Sequence, residues 1–267
     1  MYKKNIFIIG RVFLFCLICA LILVIASSIT SNLLPPHSNI YSITLALTGA
    51  FLLSVVFARW DNIKLKEVGI APGGKTVVRL LTGLGIGTLL AVIQPALVLA
   101  FTHVTISKTS AGSLIAVTTN FILYLLIACR EEIAFRGYPM SVLNRSLGAI
   151  GAQIITTIIF IVEHRIGGMT WLESIIGPGM GAILFGLAVL KTNGLALSIG
   201  LHTAWNFVQW FLGFKSEQGA FHITVEKGFE YDTELIGWIS YVLVMGLGIC
   251  IIQLGWKGKS AFAIDKN

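Results

Sequence analysis

The sequence predicts an all-α membrane protein, a polytopic bundle of about eight transmembrane helices, on three observations. Of 267 residues, 56% are hydrophobic and 12% charged, whereas a soluble domain carries roughly 25% charged residues. Apolar runs of spanning length recur at 12–30, 41–58, 78–101, 112–135, 148–166, 172–190, 194–213 and 235–256. With the N-terminus placed inside, 4 of the 19 lysines and arginines (Lys108, Arg165, Lys215, Lys227) fall in outer loops and the other 15 on the inner side. That asymmetry supports both the span count and an orientation with both termini cytoplasmic. It also accounts for the net charge of +7, so the predicted surroundings are a lipid bilayer and no nucleic acid is expected as a partner.

Taken in order, the first run follows Lys3, Lys4 and Arg11 and ends near Ala26-Ser27-Ser28, a small-residue sequence that a signal peptidase could cut. Its apolar core is too long for a signal-peptide core, which favours a retained anchor. Cys16 and Cys19 make a C-x-x-C spacing without a βαβ context, and Cys129 and Cys250 also lie in apolar runs; all four read as plain cysteines rather than redox or metal chemistry. Gly83, Gly85 and Gly87 lie inside the third run with no preceding strand. The Gly83-x-x-x-Gly87 spacing reads as close helix packing rather than a nucleotide loop. Gly177-Pro178-Gly179 predicts a break or kink in the sixth run, laying 171–176 along the interface with Glu173 wetted. The loop 214–234 carries Glu217, Glu226, Glu230, Asp232 and Glu234 and reads as a solvated outer loop, cation binding being the less favoured alternative. His37, His103 and His222 read as loop histidines without a helical partner. The chain is expected to be a single integral membrane domain, 1–267.

The chemistry concentrates elsewhere. Arg130-Glu131-Glu132 and Arg136 close the fourth run, where each charge costs about 2.5–3.5 kcal/mol to insert, and charges retained at such depth mark function by default. Helical spacing puts Glu132 and Arg136 on one face, so the arginine can hold that carboxylate while Glu131, about 100° round the helix, stays available. Two histidines lie within apolar runs, His164 one turn after Phe160 and His202 one turn before Asn206. A glutamate and two neutral imidazoles, here Glu131, His164 and His202, could form an open zinc site that activates water. Equally, a desolvated glutamate with a histidine can act as general base on an unmetallated water, while a second histidine and an asparagine stabilise an oxyanion. Both routes hydrolyse an acyl bond. No serine or cysteine stands as a nucleophile beside these residues and H-E-x-x-H is absent, which disfavours covalent catalysis.

Glu131-Glu132-x-x-x-Arg136, Phe160-x-x-x-His164 and His202-x-x-x-Asn206 together resemble the E-E-x-x-x-R, F-x-x-x-H and H-x-x-x-N pattern of the CAAX prenyl endopeptidase and bacteriocin-processing (CPBP, formerly Abi) family of intramembrane proteases. The resemblance spans 131–206 and would place a protease core at about 112–213. It implies that Glu131 and His164 position and activate water, that Glu132 and Arg136 support them, and that His202 and Asn206 stabilise the oxyanion; metal dependence stays open. It also implies a bacterial plasma-membrane protein whose substrate is a membrane-associated or prenylated peptide, cut near the cytoplasmic surface. Two rival classes remain: a non-proteolytic bacteriocin self-immunity factor or membrane adaptor, in which the motif is a polar packing network, and a proton-relaying transporter, which the lack of an evident internal repeat weakens. One point resists the scheme. Counting from the predicted span ends puts Glu131 and His202 about 10–12 Å from the cytoplasmic side but His164 about sixteen residues into its span. Either the fifth span enters later and tilts, or 137–148 dips inward and carries it down.

Overall fold

The structure, a computed structural model, describes residues 2–34, 37–215 and 219–256. Glu217 of the acidic loop and Lys257, Lys259 and Lys266 of the basic count lie outside the described residues, as do the side chains of Lys3 and Lys4. The helices are α1 (Tyr2–Thr30), α2 (His37–Trp60), α3 (Thr76–Phe101), α4 (Leu114–Glu131), α5 (Tyr138–Ile166), α6 (Trp171–Thr192), α7 (Ala196–Phe211) and α8 (Glu230–Gly255). The protein is therefore an all-α polytopic membrane bundle. A buried π-helical turn, Glu132–Gly137, joins α4 to α5, so Leu114–Ile166 is one 53-residue helical run. Counting that run once, six described helices are long and apolar enough to cross a membrane.

Two departures from eight simple spans have physical causes. Gly148 takes φ +76, a conformation that glycine adopts without a Cβ penalty, and there α5 breaks and the long run doubles back. The second departure is α7, whose 16 residues fall short of the roughly 20 a lipid-spanning helix needs. It can be short because protein surrounds it: Leu197, Ser198, Leu201, His202, Thr203 and Ala204 are all buried. Gly83 and Gly87 of α3 seat it, since a Cβ at Gly83 would stand 2.3 Å from the Leu197 carbonyl oxygen and one at Gly87 2.7 Å from that of Leu201. Gly85, facing away, has nothing within 4 Å. The glycines thus serve helix packing, and they set the position of the helix that carries His202. Gly87→Val should push α3 from α7 and cost about 1–3 kcal/mol, lowering the unfolding temperature, whereas Gly85→Val should leave it unchanged.

The sixth run is unbroken. α6 passes through Pro178 as one helix and begins with a capping box between Thr170 and an exposed Glu173. Beside the proline, the Tyr241 hydroxyl of α8 donates to the Gly177 carbonyl at 2.6 Å, so a neighbouring helix partners the backbone here.

Two faces are distinguishable. On one, β1 (Val104–Lys108) pairs antiparallel with β2 (Phe221–Val225), so the loops after α3 and α7 share a side. The acidic loop is accordingly part ribbon: β-branched residues supply the strands, and His103 meets Glu226 at 3.2 Å and stacks on Phe229. On the opposite face, the Leu195 amide donates to the Gly69 carbonyl and the Ser146 hydroxyl to Asn5. The exposed Glu67 carboxylate there accepts the Lys64 amide, which together with nearby Arg145 holds it below the usual carboxylate range. This second face carries Arg59, Lys64, Lys66, Lys75, Arg145 and Lys191; it is the basic face. Arg130 and Arg136, counted with it from sequence, are instead buried in the bundle. Just inside this face, Asp61 accepts from Arg11 and from the Tyr138 hydroxyl, and Phe15, Phe57 and Tyr138 pack ring to ring at 5.1–5.3 Å, bracing the start of α5 against α1 and α2.

Candidate active site

The hairpin about Gly148 resolves the depth conflict. Glu131 and His164 lie 17 and 16 residues from Gly148 along the two arms, so each arm rises roughly 24 Å at 1.5 Å per residue and brings them to one level. Lower rungs agree: Phe135 and Phe160 meet edge to face at 5.0 Å. Residues 138–147 continue the fourth span toward the basic face, buried through Asn144, so the levels match because Glu131 lies deeper than the sequence count placed it and not because 137–148 carries His164 down. Glu131 consequently sits farther from the basic face than the 10–12 Å counted from the predicted span end.

A cavity of about 260 Å³ is lined by Glu131, Phe160, His164, His202 and Asn206, together with Phe185 and Trp205. The three motifs thus come together around one space. Beneath it Glu132, fully buried, accepts from Arg136 Nη1 at 2.9 Å, from His202 Nδ1 at 2.9 Å and from the Ser198 hydroxyl. Because a carboxylate accepts, His202 Nδ1 carries the proton and Nε2 is turned to the cavity, 3.6 Å from Glu131 Oε2. The Phe185 ring stacks on His202 at 4.5 Å and 15°. Arg136 lies over Phe160 at 4.4 Å and near Phe185 at 5.8 Å. Its Nε and Nη2 have no hydrogen-bond partner among the described residues, and the aromatic faces offset that cost. His164 Nδ1 stands 2.9 Å from the Phe160 carbonyl. A carbonyl can only accept, so Nδ1 donates and Nε2 keeps its lone pair.

Sequence reasoning missed Glu163 and Ser198. Arg130 Nη1 and Nη2 both donate to Glu163 Oε1, at 3.2 and 2.9 Å, and Arg130 lies 3.9 Å from Glu131. This pair ties the two arms at the level of the cavity. Its signal was present, an arginine immediately before Glu131 and an acid immediately before His164. Ser198, one turn before His202 on α7, offered no signal apart from that spacing.

The proposed metal ligands Glu131, His164 and His202 all line the cavity. Among the described residues no three His, Cys, Asp or Glu side chains are arranged to hold a metal ion, although the Nδ1 bonds of His164 to Phe160 and of His202 to Glu132 leave each Nε2 unengaged by them. The cavity adjoins a larger cleft of about 700 Å³ that shares Met169, Gly177, Pro178, Trp205, Lys215 and Tyr241 with it and reaches Gly167 and Glu234. The cavity thus connects with a cleft on the ribbon side of the bundle, beneath the α5–α6 turn.

Residues 113–208 match the family model described as type II CAAX prenyl endopeptidase Rce1-like. That match, over a little more than a third of the chain, supports the CPBP family of CAAX-type proteases. No curated protein matches it. All three motifs fall within the matched segment, which runs from the cap of α4 through most of α7. The match indicates a CAAX-type endopeptidase, a hydrolase, within a multi-pass membrane protein.

Proposed function

We propose that the protein hydrolyses a peptide bond of a membrane-associated peptide, using water activated by Glu131 and His164. The observation that carries this reading is the division of labour between the two adjacent glutamates: Glu132 is saturated by Arg136, His202 and Ser198, whereas Glu131 borders the cavity. A water between Glu131 and His164 Nε2 gives its proton to the Glu131 carboxylate as its oxygen attacks the scissile carbonyl carbon. The oxyanion that forms is held by the Asn206 amide and by His202, whose ring Glu132 orients through Nδ1. Glu131 then passes the proton to the leaving nitrogen, the C–N bond breaks, and a carboxylic acid and an amine leave. No step is routed through a metal. The positive-inside rule makes the basic face the cytoplasmic one, and the plasma membrane is the location that the family resemblance implies.

The test is cleavage of a quenched membrane-anchored peptide library, prenylated and unprenylated, by purified protein with and without a zinc chelator. Wild type should cut, His164→Ala should lose at least about 10²-fold, and the chelator should leave the rate unchanged. Loss of activity with chelator would replace the glutamate-activated water by a metal-bound one. Failure of wild type to cut any peptide, with cellular function kept in His164→Ala, would favour the self-immunity or adaptor reading.

A further inference from the structure

A second cavity lies on the other side of the bundle, away from the catalytic residues. Its volume is about 530 Å³ and it runs between α5, α6 and α8. Ile150, Ile154, Ile183, Leu187 and Ile249 make its wall, and Asn144, Lys191 and Gln253 stand at its end toward the basic face. Asn144 is 3% exposed, and its Nδ2 donor has no partner among the described residues. A buried amide donor left unpaired is unfavourable, so an acceptor arriving there would be stabilising. Lys191 donates to the Gln253 carbonyl at 3.3 Å, and among the described residues no carboxylate pairs with it. Deeper in the cleft Gln153 gives its Nε2 to Thr157 and to the Ala182 carbonyl, while its Oε1 lacks a donor. A Cβ at Gly186 would stand 2.3 Å from that oxygen, so the glycine makes room for the amide.

We infer that this cleft binds one anionic phospholipid, its phosphate against Lys191 and Asn144 and one acyl chain along Ile150, Ile154, Ile183 and Leu187. The order of the groups is the argument. A cation with no counter-charge and a donor with no partner among the described residues sit where a leaflet's headgroups would lie, and the apolar wall climbs from them in the direction a chain takes. A zwitterionic headgroup would bring its own cation towards Lys191, so the charge complementarity selects an anionic lipid. One lysine near a membrane surface contributes about 1 kcal/mol to such binding.

The experiment is native mass spectrometry and thermal unfolding of the purified full chain, delipidated and then titrated with phosphatidylglycerol, phosphatidylcholine or inorganic phosphate. The variants are Lys191→Gln, Lys191→Arg and the groove-filling Leu187→Trp. Phosphatidylglycerol should bind as one retained molecule and raise the unfolding temperature. Its affinity should fall about fivefold in Lys191→Gln, persist in Lys191→Arg and vanish in Leu187→Trp. Phosphate alone should do nothing. Equal retention of both lipids, or retention unchanged in Lys191→Gln, would overturn the inference. So would a wild type in which phosphate reproduces the shift, a dimer that Leu187→Trp dissociates, or a Leu187→Trp variant that binds lipid as before yet no longer cuts lipidated peptide.

Discussion

Glu131→Gln is expected to lower kcat for peptide cleavage by about 10²- to 10⁴-fold, the contribution of a positioned general base, with little change in KM or in unfolding temperature. Glutamine keeps the size and the planar end of the side chain, so the 3.6 Å approach to His202 Nε2 and the 3.9 Å approach to Arg130 can persist. What disappears is the basicity that takes a proton from water. The Glu132 cluster is separate, since its donors are Arg136, His202 and Ser198, and fold stability should not follow the loss of rate. The measurement is steady-state cleavage alongside thermal unfolding in the same detergent. A variant that keeps activity within a fewfold of wild type would remove Glu131 from the chemistry. One that unfolds many degrees earlier would make it a packing residue.

Much of the architecture was legible because membrane insertion imposes length and hydropathy on each helix. The runs 12–30, 41–58, 78–101 and 235–256 correspond to α1, α2, α3 and α8 within a few residues at most ends. Legibility failed where burial in protein replaces burial in lipid. Residues 138–147 read as a connection because Asn144 and Arg145 interrupt the apolar pattern, yet Asn144 is enclosed by helices and Arg145 reaches Glu67 at 3.6 Å. The π turn at Glu132–Gly137 has no composition of its own; a helix accepts an extra residue where tertiary contacts demand it. The ribbon was missed because two five-residue strands give too short an alternation to distinguish from loop. In the site, side chains one helical turn apart were readable, as in Glu132 with Arg136 and Phe160 with His164. Pairs made across the hairpin, such as Arg130 with Glu163, depend on where Gly148 turns the chain, and sequence spacing does not carry that information.

Glu132→Leu should be the most destabilising single change in the site, at about 3–5 kcal/mol, because it strips the counter-charge from a buried cation. Arg136 is 1% exposed and already leaves Nε and Nη2 without hydrogen bonds. Its Nη1 bond to Glu132 is the remaining polar contact, and the rings of Phe160 and Phe185 cannot replace a full charge. Replacing both residues, Glu132→Leu with Arg136→Leu, removes the cation together with its partner and should recover most of the lost stability. Activity should not return, since His202 Nδ1 would still have lost its acceptor and the imidazole its orientation. Thermal unfolding and cleavage measured on the two single variants and the double therefore separate the two roles of Glu132. A double variant no more stable than Glu132→Leu would show that the carboxylate does not serve as counter-charge to Arg136. A double variant that recovers activity as well would show that the Phe185 stack is enough to hold His202 in place.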